Sequence, residues 1–372
     1  MKDTLCIIDN TTPQRYAGHN FLQKIKFIID IHTHIFDEKC VPDKFIGSKF
    51  LQRIVNRYTL PIALIMDLIN PFSKTDVLSR YADFVRNENK SQKNNLKELK
   101  KIYPEGTKFV ILTVNMAGMG AGKVKKNIEE QLKEVIELKN TGEPILIFYH
   151  LEPTTENCLE ILYKYQNYIY GLKVYTLMGH SPLHNNLLEG YKWAEEHNKP
   201  VIFHTSPDSP VYFKGSKSEL NNRLRNLKPL INPKEKDQHK LCANFTNPRY
   251  YDVLCGLFPK LKVCFAHLGG EEEIKKAIRG EASMATELLK ICRYNENAYF
   301  DISSAFGNET IQRWLNIIIR DEVILAKCLY GSDYYMSKIS FDINEYMSNL
   351  KKNIGEKNFN VISEINTEKF LA

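Results

Sequence analysis

The heptapeptide Ile28-Ile29-Asp30-Ile31-His32-Thr33-His34 joins a short apolar run to two histidines at alternate positions. A short, nearly continuous apolar run is typical of a parallel β-strand that is buried on both faces. Alternate side chains of a strand point the same way, so the strand predicted over Phe27–Ile31 presents His32 and His34 together at its end. Asp30 has the same parity, and we expect it to have a structural role and not to bind a metal.

Seven further apolar runs follow along the chain, with helical patterns such as Lys123–Asn140 and Leu187–Asn198 between them. The runs are Phe109–Val114, Ile145–Tyr149, Ile169–Tyr175, Val201–His204, Val263–His267, Ala298–Ile302 and Cys328–Gly331. Strands that alternate with helices predict β/α units joined by right-handed crossovers. The expected fold is an α/β, eight-stranded (β/α)8 barrel of the TIM type. An open doubly wound sheet is the alternative, because one miscounted strand separates the two folds.

Two long gaps between predicted strands indicate insertions in a single barrel domain that spans residues 1–372. Most other gaps are close to the length of about 30 residues that one β/α unit needs. The first insertion is helical, at about 42–103 after the first strand, and the second is a basic loop at about 205–244. The Lys- and Asn-rich segment Asn87–Lys101 is expected to be a solvated surface.

The composition is that of an ordinary globular protein. Of the 372 residues, 43% are hydrophobic and 26% are charged, which argues against disorder, collagen and coiled coil. A net charge of +7 is weak evidence for nucleic-acid binding unless it is clustered. No apolar run approaches the ~20 residues of a membrane span, and the eight cysteines show no C-x-x-C spacing. We expect a soluble, cytoplasmic protein with reduced, buried cysteines and no nucleic-acid or membrane partner.

Half of the ten histidines lie at or just after the ends of predicted strands. They are His32, His34, His150, His204 and His267, and Asp333 ends the last strand in the same way. In a β/α barrel these strand ends form a single rim, on which active sites are built. Imidazoles and a carboxylate around one rim suit a borderline divalent cation such as zinc. The sequence therefore predicts a metal site.

In these residues the chain resembles the amidohydrolase superfamily, specifically its branch of amidohydrolase-related metal-dependent hydrolases. That family has an H-x-H on the first strand, a histidine on the fifth, often a histidine on the sixth, and an aspartate on the eighth. The matching residues here are His32, His34, His204, His267 and Asp333. The segments Phe258-Pro-Lys-Leu-Lys-Val-Cys-Phe-Ala-His267-Leu-Gly-Gly270 and Leu329-Tyr-Gly-Ser-Asp333 resemble the family's sixth and eighth strands. The resemblance covers most of the chain and implies a distorted β/α barrel of the metal-dependent hydrolase type.

Lys173 lies in Gly171-Leu-Lys-Val-Tyr175, on the predicted fourth strand. In some superfamily members a lysine there is carboxylated and bridges two metal ions, because the added carboxylate supplies oxygen ligands. An unmodified lysine would repel a metal, and would hold a substrate carboxylate or polarise a carbonyl. Both readings stay open, and with them the number of ions, one or two, and their identity, zinc or another metal such as manganese.

The resemblance also implies a mechanism in which a metal-activated water attacks the substrate. Asp333 is expected to be a ligand and the general base that then protonates the leaving group. His267 is expected either to bind a second metal ion or to donate a hydrogen bond to the scissile carbonyl.

Tyr175, His150 and His180 are the expected substrate contacts, because they lie at or just after predicted strand ends. His150 has no ligand role in the family pattern. For His180, and for His184 on the same predicted loop, an exposed position without function is the alternative.

The predicted function is hydrolysis of a C–N or C–O bond, in an amide, lactone or ester, of a small substrate. The insertion carries eight Lys or Arg against three acidic residues between Lys214 and Lys240, which fits an anionic substrate or a solubilising surface equally. Non-oxidative decarboxylation, or another lyase reaction on the same barrel, is the first alternative. A non-catalytic, metal-bound, ligand-sensing barrel is the second. The oligomeric state is open, with the helical insertion as a candidate interface.

Overall fold

The computed structural model describes residues 27–45, 90–225 and 236–372. Eight short strands are present in these ranges: β1 (Ile29–Thr33), β2 (Lys108–Leu112), β3 (Ile145–His150), β4 (Ile169–Val174), β5 (Val201–His204), β6 (Val263–Ala266), β7 (Ala298–Asp301) and β8 (Cys328–Leu329). They pair in chain order, and every pairing is parallel. The eight strands predicted from the apolar runs are confirmed, and their ends differ from prediction by two residues or fewer.

The sheet closes on itself between β8 and β1. The Ile31 N–H donates to the Tyr330 carbonyl at 3.2 Å, and the His34 N–H donates to the Tyr334 carbonyl at 2.5 Å. Thr33 and Tyr334 also form a parallel bridge. The predicted barrel is confirmed and the alternative of an open sheet is wrong, because an open sheet would leave these two edges unpaired.

Helices connect the strands and surround the barrel. Within the described residues they are α1 (Gln92–Ile102), α2 (Ile128–Asn140), α3 (Cys158–Lys164), α4 (Asn185–Glu196), α5 (Lys217–Arg225), α6 (Gln238–Ala243), α7 (Pro248–Leu257), α8 (Glu271–Ile278), α9 (Met284–Tyr294), α10 (Glu309–Ile318), α11 (Glu322–Leu325), α12 (Ile343–Ile354), α13 (Glu356–Asn360) and α14 (Asn366–Leu371).

The start of α2 shows how local sequence sets these boundaries. Asn127 accepts a hydrogen bond from the Glu130 N–H, and the Glu130 carboxylate accepts one from the Asn127 N–H, which completes a capping box. The predicted helix from Lys123 therefore begins five residues later, because this cap satisfies the N–H groups that the first turn leaves without helical partners.

Helix α1 lies in the Lys- and Asn-rich segment, where a solvated helix face or loop was expected. One face of the helix is exposed, as expected, and the other face is buried. Leu96 and Leu99 are buried, as is Asn95. The Asn95 Nδ2 donates to the carbonyls of Ile35 and Phe36, both at 3.1 Å. The helix thereby supports the loop that follows β1, while its lysines occupy the exposed face.

The core has two layers, as alternation along β2 shows. Val110 and Leu112 belong to a cluster that unites side chains from most strands inside the barrel, together with residues of α14. Phe109 and Ile111 belong to the larger cluster between the strands and the surrounding helices. This is the two-sided burial that the nearly continuous apolar strands predict. Every cysteine of the described ranges is buried and free of disulfide bonds, as expected.

Most of the first insertion and part of the second, residues 46–89 and 226–235, lie outside the described residues. The extent of the helical insertion at 42–103 and its use as an interface therefore stay predictions. Among the helices that the structure describes, none combines the length and apolar character needed to cross a lipid bilayer.

Candidate metal centre

The predicted metal-binding histidines and aspartate meet at one rim of the barrel. His32 and His34 lie at the end of β1, His204 ends β5, and His267 and Asp333 follow β6 and β8. The ring centres of His32 and His267 are 4.7 Å apart, and those of His204 and His267 are 4.8 Å apart. The C-terminal ends of these strands therefore assemble one cluster, as the barrel predicts.

Asp333 is fixed against β1. Its N–H donates to the His32 carbonyl at 2.8 Å, and its Oδ1 lies 3.4 Å from His34 Nε2 and 3.7 Å from His32 Nε2. Gly331 permits this approach, because a Cβ at that position would lie 2.8 Å from the His32 Cβ. Asp333 has a φ of 56°, in the left-handed region. Such strain in a non-glycine residue persists where surrounding contacts enforce it, often at functional sites.

Hydrogen bonds on the outer side of each ring fix the tautomers of His32 and His34. His34 Nδ1 lies 3.0 Å from the Leu112 carbonyl oxygen, which only accepts, so Nδ1 carries the proton. His32 Nδ1 lies 2.8 Å from Asp301 Oδ2. Burial alone would raise the pKa of Asp301, but the adjacent His32 lowers it below its usual range, so this carboxylate also accepts. Both Nε2 atoms therefore keep their lone pairs, on the side of Asp333.

Hydrogen bonds also fix the tautomers of His204 and His267. His204 Nε2 donates to the Ser206 carbonyl at 3.1 Å, which leaves the lone pair on Nδ1. His267 Nδ1 lies 2.9 Å from the Ser303 hydroxyl, which donates to Asp301 and so accepts from the ring. The two unprotonated atoms, His204 Nδ1 and His267 Nε2, face each other at 3.2 Å. Two lone pairs at this distance repel unless a cation or a proton lies between them.

These atoms have the spacing and protonation that a divalent cation requires. Bonds of about 2.0–2.1 Å in a tetrahedral zinc site place neighbouring ligand atoms about 3.3–3.4 Å apart. The ligand atoms of His32, His34 and Asp333 all lie within 4.8 Å of one another. Burial lowers the pKa of His32 to about 3 and that of His204 well below its usual value, so these rings are neutral at neutral pH. The residues present fit a divalent cation.

Lys173, in β4, is fully buried, and its Nζ has no hydrogen-bond partner among the described residues. Burial lowers the pKa of Lys173 to about 8, while the carboxylates of Asp301 and Asp333 oppose that shift. The Nζ lies 6.0 Å from the centre of the Tyr175 ring. A buried amine without a partner, near two carboxylates, fits both readings of this lysine: a carboxylated metal ligand, or a cation.

Tyr175 connects the metal centre to the loop after β5. Its ring stacks on His204, with 3.9 Å between ring centres and 9° between planes. Its hydroxyl lies 2.5 Å from Ser209 Oγ, and the Ser209 carbonyl in turn accepts a hydrogen bond from His239 Nε2 at 3.0 Å. Tyr175 therefore restrains the orientation of a predicted ligand and the position of the loop beside it.

A cavity of about 680 Å³ adjoins the cluster. His32, His34, His204, His267 and Asp333 line it, together with Tyr175. Its apolar lining includes Phe36, Val114, Met116, Val211, Met336 and Phe341, and its other charged lining residues are Asp208, Glu271 and Glu272. A largely apolar space with a few convergent polar groups is the usual form of a small-molecule site.

Residues 160–341 match the model of the amidohydrolase family Amidohydro_2. This matched segment, just under half of the chain, is similar to the amidohydrolases. The match includes the fifth-, sixth- and eighth-strand ligand positions, His204, His267 and Asp333, whereas His32 and His34 lie before it. The resemblance recognised from the sequence is thereby confirmed. Among curated proteins, none matches the sequence.

Solved structures of amidohydrolases share the fold of this chain. A probable 2-pyrone-4,6-dicarboxylic acid hydrolase from Acinetobacter baumannii, with citric acid bound, aligns at TM-score 0.53 and 13% identity over 92% of this chain and 98% of its own. A zinc-bound amidohydrolase from Burkholderia multivorans aligns at 0.53 and 8% identity, over 93% and 99%. A 5-carboxyvanillate decarboxylase from Novosphingobium aromaticivorans, with bound manganese, aligns at 0.52 and 8% identity, over 93% and 97%. At these identities the likeness establishes the fold.

Of the predicted substrate contacts, Tyr175 lines the cavity, whereas His150 and His180 do not. They lie on either side of Glu152, whose Oε2 is 3.3 Å from His180 Nε2 and 4.0 Å from His150 Nε2. The alternative that His180 is exposed is wrong, since its ring is buried. His184 is partly buried and caps α4. A substrate contact by His150 or His180 stays a prediction.

Sequence reasoning missed two residues behind the metal centre, Asp301 and Ser303. The Asp301 carboxylate accepts hydrogen bonds from the N–H groups of His267, at 2.9 Å, and Ser303, at 3.1 Å, in addition to the His32 ring. It also belongs, with His32 and His267, to a second group of side chains whose spacing suits a metal. The sequence did carry a signal for Asp301, because this residue is polar and lies at the end of a predicted strand. The histidines were identified by the same feature.

Glu152 is the third functional candidate that the sequence did not reveal. It follows β3, is fully buried, and accepts hydrogen bonds from the N–H and hydroxyl of Thr154 at 3.2 and 2.7 Å. Gly118 packs on its carboxylate, since a Cβ there would lie 2.7 Å from Glu152 Cδ. Burial would raise the pKa of Glu152, but the neighbouring His180 lowers it to about 2, so the carboxylate is ionised.

Asp30 has the structural role that the sequence predicts. Its Oδ1 accepts from the N–H groups of His32 and Ser332, both at 3.1 Å, and its Oδ2 accepts from the Tyr103 hydroxyl at 2.5 Å. Burial raises the pKa of Asp30 to about 6. These bonds join β1, the segment after α1 and the segment after β8, and so hold the strand that carries both metal-binding histidines.

The described basic side chains of the second insertion do not line the cavity. Lys214 Nζ donates to the Phe45 carbonyl at 2.8 Å, and Arg223 donates to the carbonyls of Met178 and Gly179 at 3.2 and 3.3 Å. These hydrogen bonds connect neighbouring loops. The expectation that the insertion attracts an anionic substrate has no support among the described residues.

Proposed function

We propose that the chain is a metal-dependent hydrolase that cleaves a C–N or C–O bond of a small amide, lactone or ester. One observation carries the proposal: the hydrogen bonds of four histidines leave an unprotonated nitrogen on each, and these nitrogens gather with the Asp333 carboxylate beside a cavity. Neutral imidazoles that share a site with an ionised carboxylate form a metal-binding and base-bearing arrangement.

His32, His34, His204, His267 and Asp333 are the residues that would hold the metal. When bound, a divalent cation such as zinc lowers the pKa of water to about 7 and polarises a carbonyl oxygen. Asp301 and the Leu112 carbonyl would keep the first-strand histidines oriented through their Nδ1–H groups. The chain's contribution is a set of ligands whose positions and tautomers are fixed before substrate arrives.

Asp333 is the proposed general base. Burial alone would raise its pKa, but the nearby rings of His34, His32 and His267 lower it to about 2. The carboxylate is therefore ionised at neutral pH and able to accept a proton from the attacking water. Because Asp333 lines the cavity, the same oxygen is placed to return that proton to the leaving nitrogen or oxygen.

His267 is better suited to metal binding than to hydrogen-bond donation. Its Nδ1–H donates to the Ser303 hydroxyl. Its Nε2 therefore carries the lone pair, which faces His204. A neutral imidazole in this tautomer has no proton to donate to a scissile carbonyl. Of the two roles expected from the sequence, this geometry favours the ligand.

Whether the buried Lys173 is carboxylated distinguishes a two-metal site from a one-metal site. Carboxylation would form an N–C bond between Nζ and carbon dioxide with release of a proton, and would convert a cation into an oxygen ligand. Full burial without a hydrogen-bond partner favours a modified side chain, since a buried unpaired ammonium is costly.

Decarboxylation is the competing reaction, because one of the similar solved structures is named as a 5-carboxyvanillate decarboxylase. A decarboxylase must hold a substrate carboxylate, which a nearby cation would favour. Among the described residues that line the cavity there is no lysine or arginine, so a bound metal would be left to hold that carboxylate, whereas hydrolysis requires no such partner. A ligand sensor without turnover is disfavoured because Asp333 lines the cavity as an ionised base.

The proposal is tested by metal content together with activity. Tag-free protein prepared without chelators is measured by elemental mass spectrometry, then screened on amides, lactones and esters before and after metal removal and replacement. We expect hydrolysis that depends on metal, with two ions per chain falling to one in Lys173→Met and not in the exposed control Lys192→Met. One ion in the unaltered chain would make Lys173 a plain cation. Release of carbon dioxide from carboxylate substrates, without hydrolysis of any class, would overturn the proposal.

A further inference from the structure

The cavity offers a substrate mostly apolar walls. Phe36 and Met116 line it, as do Val114, Val211 and Phe341. Such walls stabilise a ligand by removing its apolar surface from water. A volume of about 680 Å³ accommodates an aromatic ring or an alkyl chain in addition to the group that reacts at the metal centre.

The charged side chains of the lining are acidic. Apart from Asp333 they are Asp208, in the loop after β5, and Glu271 and Glu272, in the first turn of α8. Lys275 Nζ lies 2.9 Å from Glu271 and 2.8 Å from Glu272 and neutralises part of this charge. Lys276 and Arg279, which pair with Glu273 and Glu281, also attract Asp208 and Glu272. Three cations against five carboxylates leave this part of the cavity negative.

The basic side chains that lie around the cavity already have partners. Lys214 donates to a backbone carbonyl, and Lys276 pairs with Glu273 at 2.6 Å. Lys173 is buried and does not reach the lining. A substrate carboxylate would therefore find no cationic partner among the described residues of the cavity.

A carboxylate that enters such a site loses its water and meets like charges, and both effects oppose binding. An ammonium group gains attraction there, and a neutral group avoids the penalty. Resting on the proposed function, which places the scissile bond at Asp333, we infer that the substrate has an apolar body whose distal end, away from the metal centre, is neutral or carries an ammonium group and bears no carboxylate. Asp208 and Glu272 are the specificity-determining residues.

A matched series of hydroxamic acids tests this inference on the metal-loaded, full-length enzyme. The hydroxamate chelates the metal, and the para position carries an aminomethyl, a methyl or a carboxyl group on each of two cores, phenyl and biphenyl. We expect the inhibition constants to rank aminomethyl tightest and carboxyl weakest, by about tenfold between the extremes on the tighter-binding core. The ratio should shrink in 0.5 M salt, because salt screens exposed charges.

Two variants locate the effect. Asp208→Asn with Glu272→Gln should bring the inhibition constants of the aminomethyl and carboxyl probes together, with little change for the methyl probe. Glu287→Gln, an exposed carboxylate on α9 outside the cavity, is the matched control and should keep the full ratio.

The outcomes separate this inference from the function on which it rests. Carboxyl probes that bind as tightly as the aminomethyl probes, or tighter, overturn the substrate class and leave the metal-dependent hydrolase standing. A ratio that is unchanged in the double variant overturns the role of Asp208 and Glu272. If no probe binds the metal-loaded enzyme better than the chelator-treated protein, the metal centre itself fails, and this inference fails with it.

Discussion

Asp301 accepts the Nδ1–H of His32 at 2.8 Å, and both side chains are buried. This single hydrogen bond joins the end of β7 to the end of β1 and selects the tautomer of a candidate metal-binding histidine. The same carboxylate accepts the N–H of His267 and the hydroxyl of Ser303. Asp301 therefore orients two of the four candidate imidazoles from behind, a position from which outer-shell groups tune metal affinity.

Replacement of Asp301 should weaken the metal centre without unfolding the barrel. Asp301→Asn keeps the size of the side chain and removes the charge that orients His32, so we expect metal affinity to fall about 10–100-fold. Titration of chelator-treated protein with zinc, followed by competition with a chromophoric chelator, measures the change. Asp252→Asn, on the exposed face of α7, is the control. Equal affinities in the two variants would show that the hydrogen bond does not tune the metal.

The side chains of the candidate site could be found from the sequence because their signal is local. An H-x-H that closes an apolar run, and single histidines that close two other runs, are visible without knowledge of any contact. Asp301 was missed because its role depends on His32, 269 positions earlier in the chain. A lone aspartate at a strand end is common, and only the closed barrel shows which histidine it meets.

Loop features could not be predicted for a related reason. The periods of 2 and 3.6 residues that identify strands and helices carry no information about how βα loops pack on one another. His180 is buried because the loop after β2 places Gly118 against Glu152, beside the His180 ring. The charge of the insertion after β5 could be counted from the sequence, but the direction of Lys214, towards a backbone carbonyl, could not.

Loss of His204 should remove metal and activity together while the fold persists. His204→Ala deletes a nitrogen that faces the cluster and a ring that stacks on Tyr175, but it leaves the strand pairing of β5 intact. We expect metal per chain to drop to less than half that of the unaltered protein, with a far-ultraviolet circular dichroism spectrum that does not change. His197→Ala, an exposed histidine after α4, should keep its metal. Unaltered metal content in His204→Ala would remove this residue from the ligand set.

Asp333 should separate metal binding from turnover. Asp333→Asn keeps an oxygen that can contact a metal, but an amide cannot accept the proton of the attacking water. We expect kcat to fall by about 10²–10⁴-fold while much of the metal is retained. Steady-state kinetics on the best substrate, alongside elemental analysis of the same preparation, tests both halves of this expectation. A near-normal kcat would refute the assignment of Asp333 as the base.

The pH dependence of stability should reveal the buried His150. Its Nδ1 accepts the Asn115 N–H at 2.8 Å, and burial lowers its pKa to about 3, although the neighbouring Glu152 opposes the shift. In the unfolded chain a histidine has a pKa of about 6.5. As the pH falls below 6.5, the histidine therefore binds a proton in the unfolded state, whereas in the native state it stays neutral until about pH 3. The free energy of unfolding decreases as a result. One such residue accounts for about 2 kcal/mol between pH 7 and pH 5.

His150→Asn isolates this contribution, because the asparagine Oδ1 can still accept the Asn115 N–H. The variant should lose stability at pH 7, where it leaves a cavity, yet its free energy of unfolding should fall by about 2 kcal/mol less than that of the unaltered chain between pH 7 and pH 5. Urea denaturation with a chelator present keeps metal binding out of the comparison. His197→Asn, which alters an exposed histidine, should reproduce the slope of the unaltered chain. If His150→Asn also reproduces that slope, the native state accepts the proton at His150 and the ring is not held neutral by its burial.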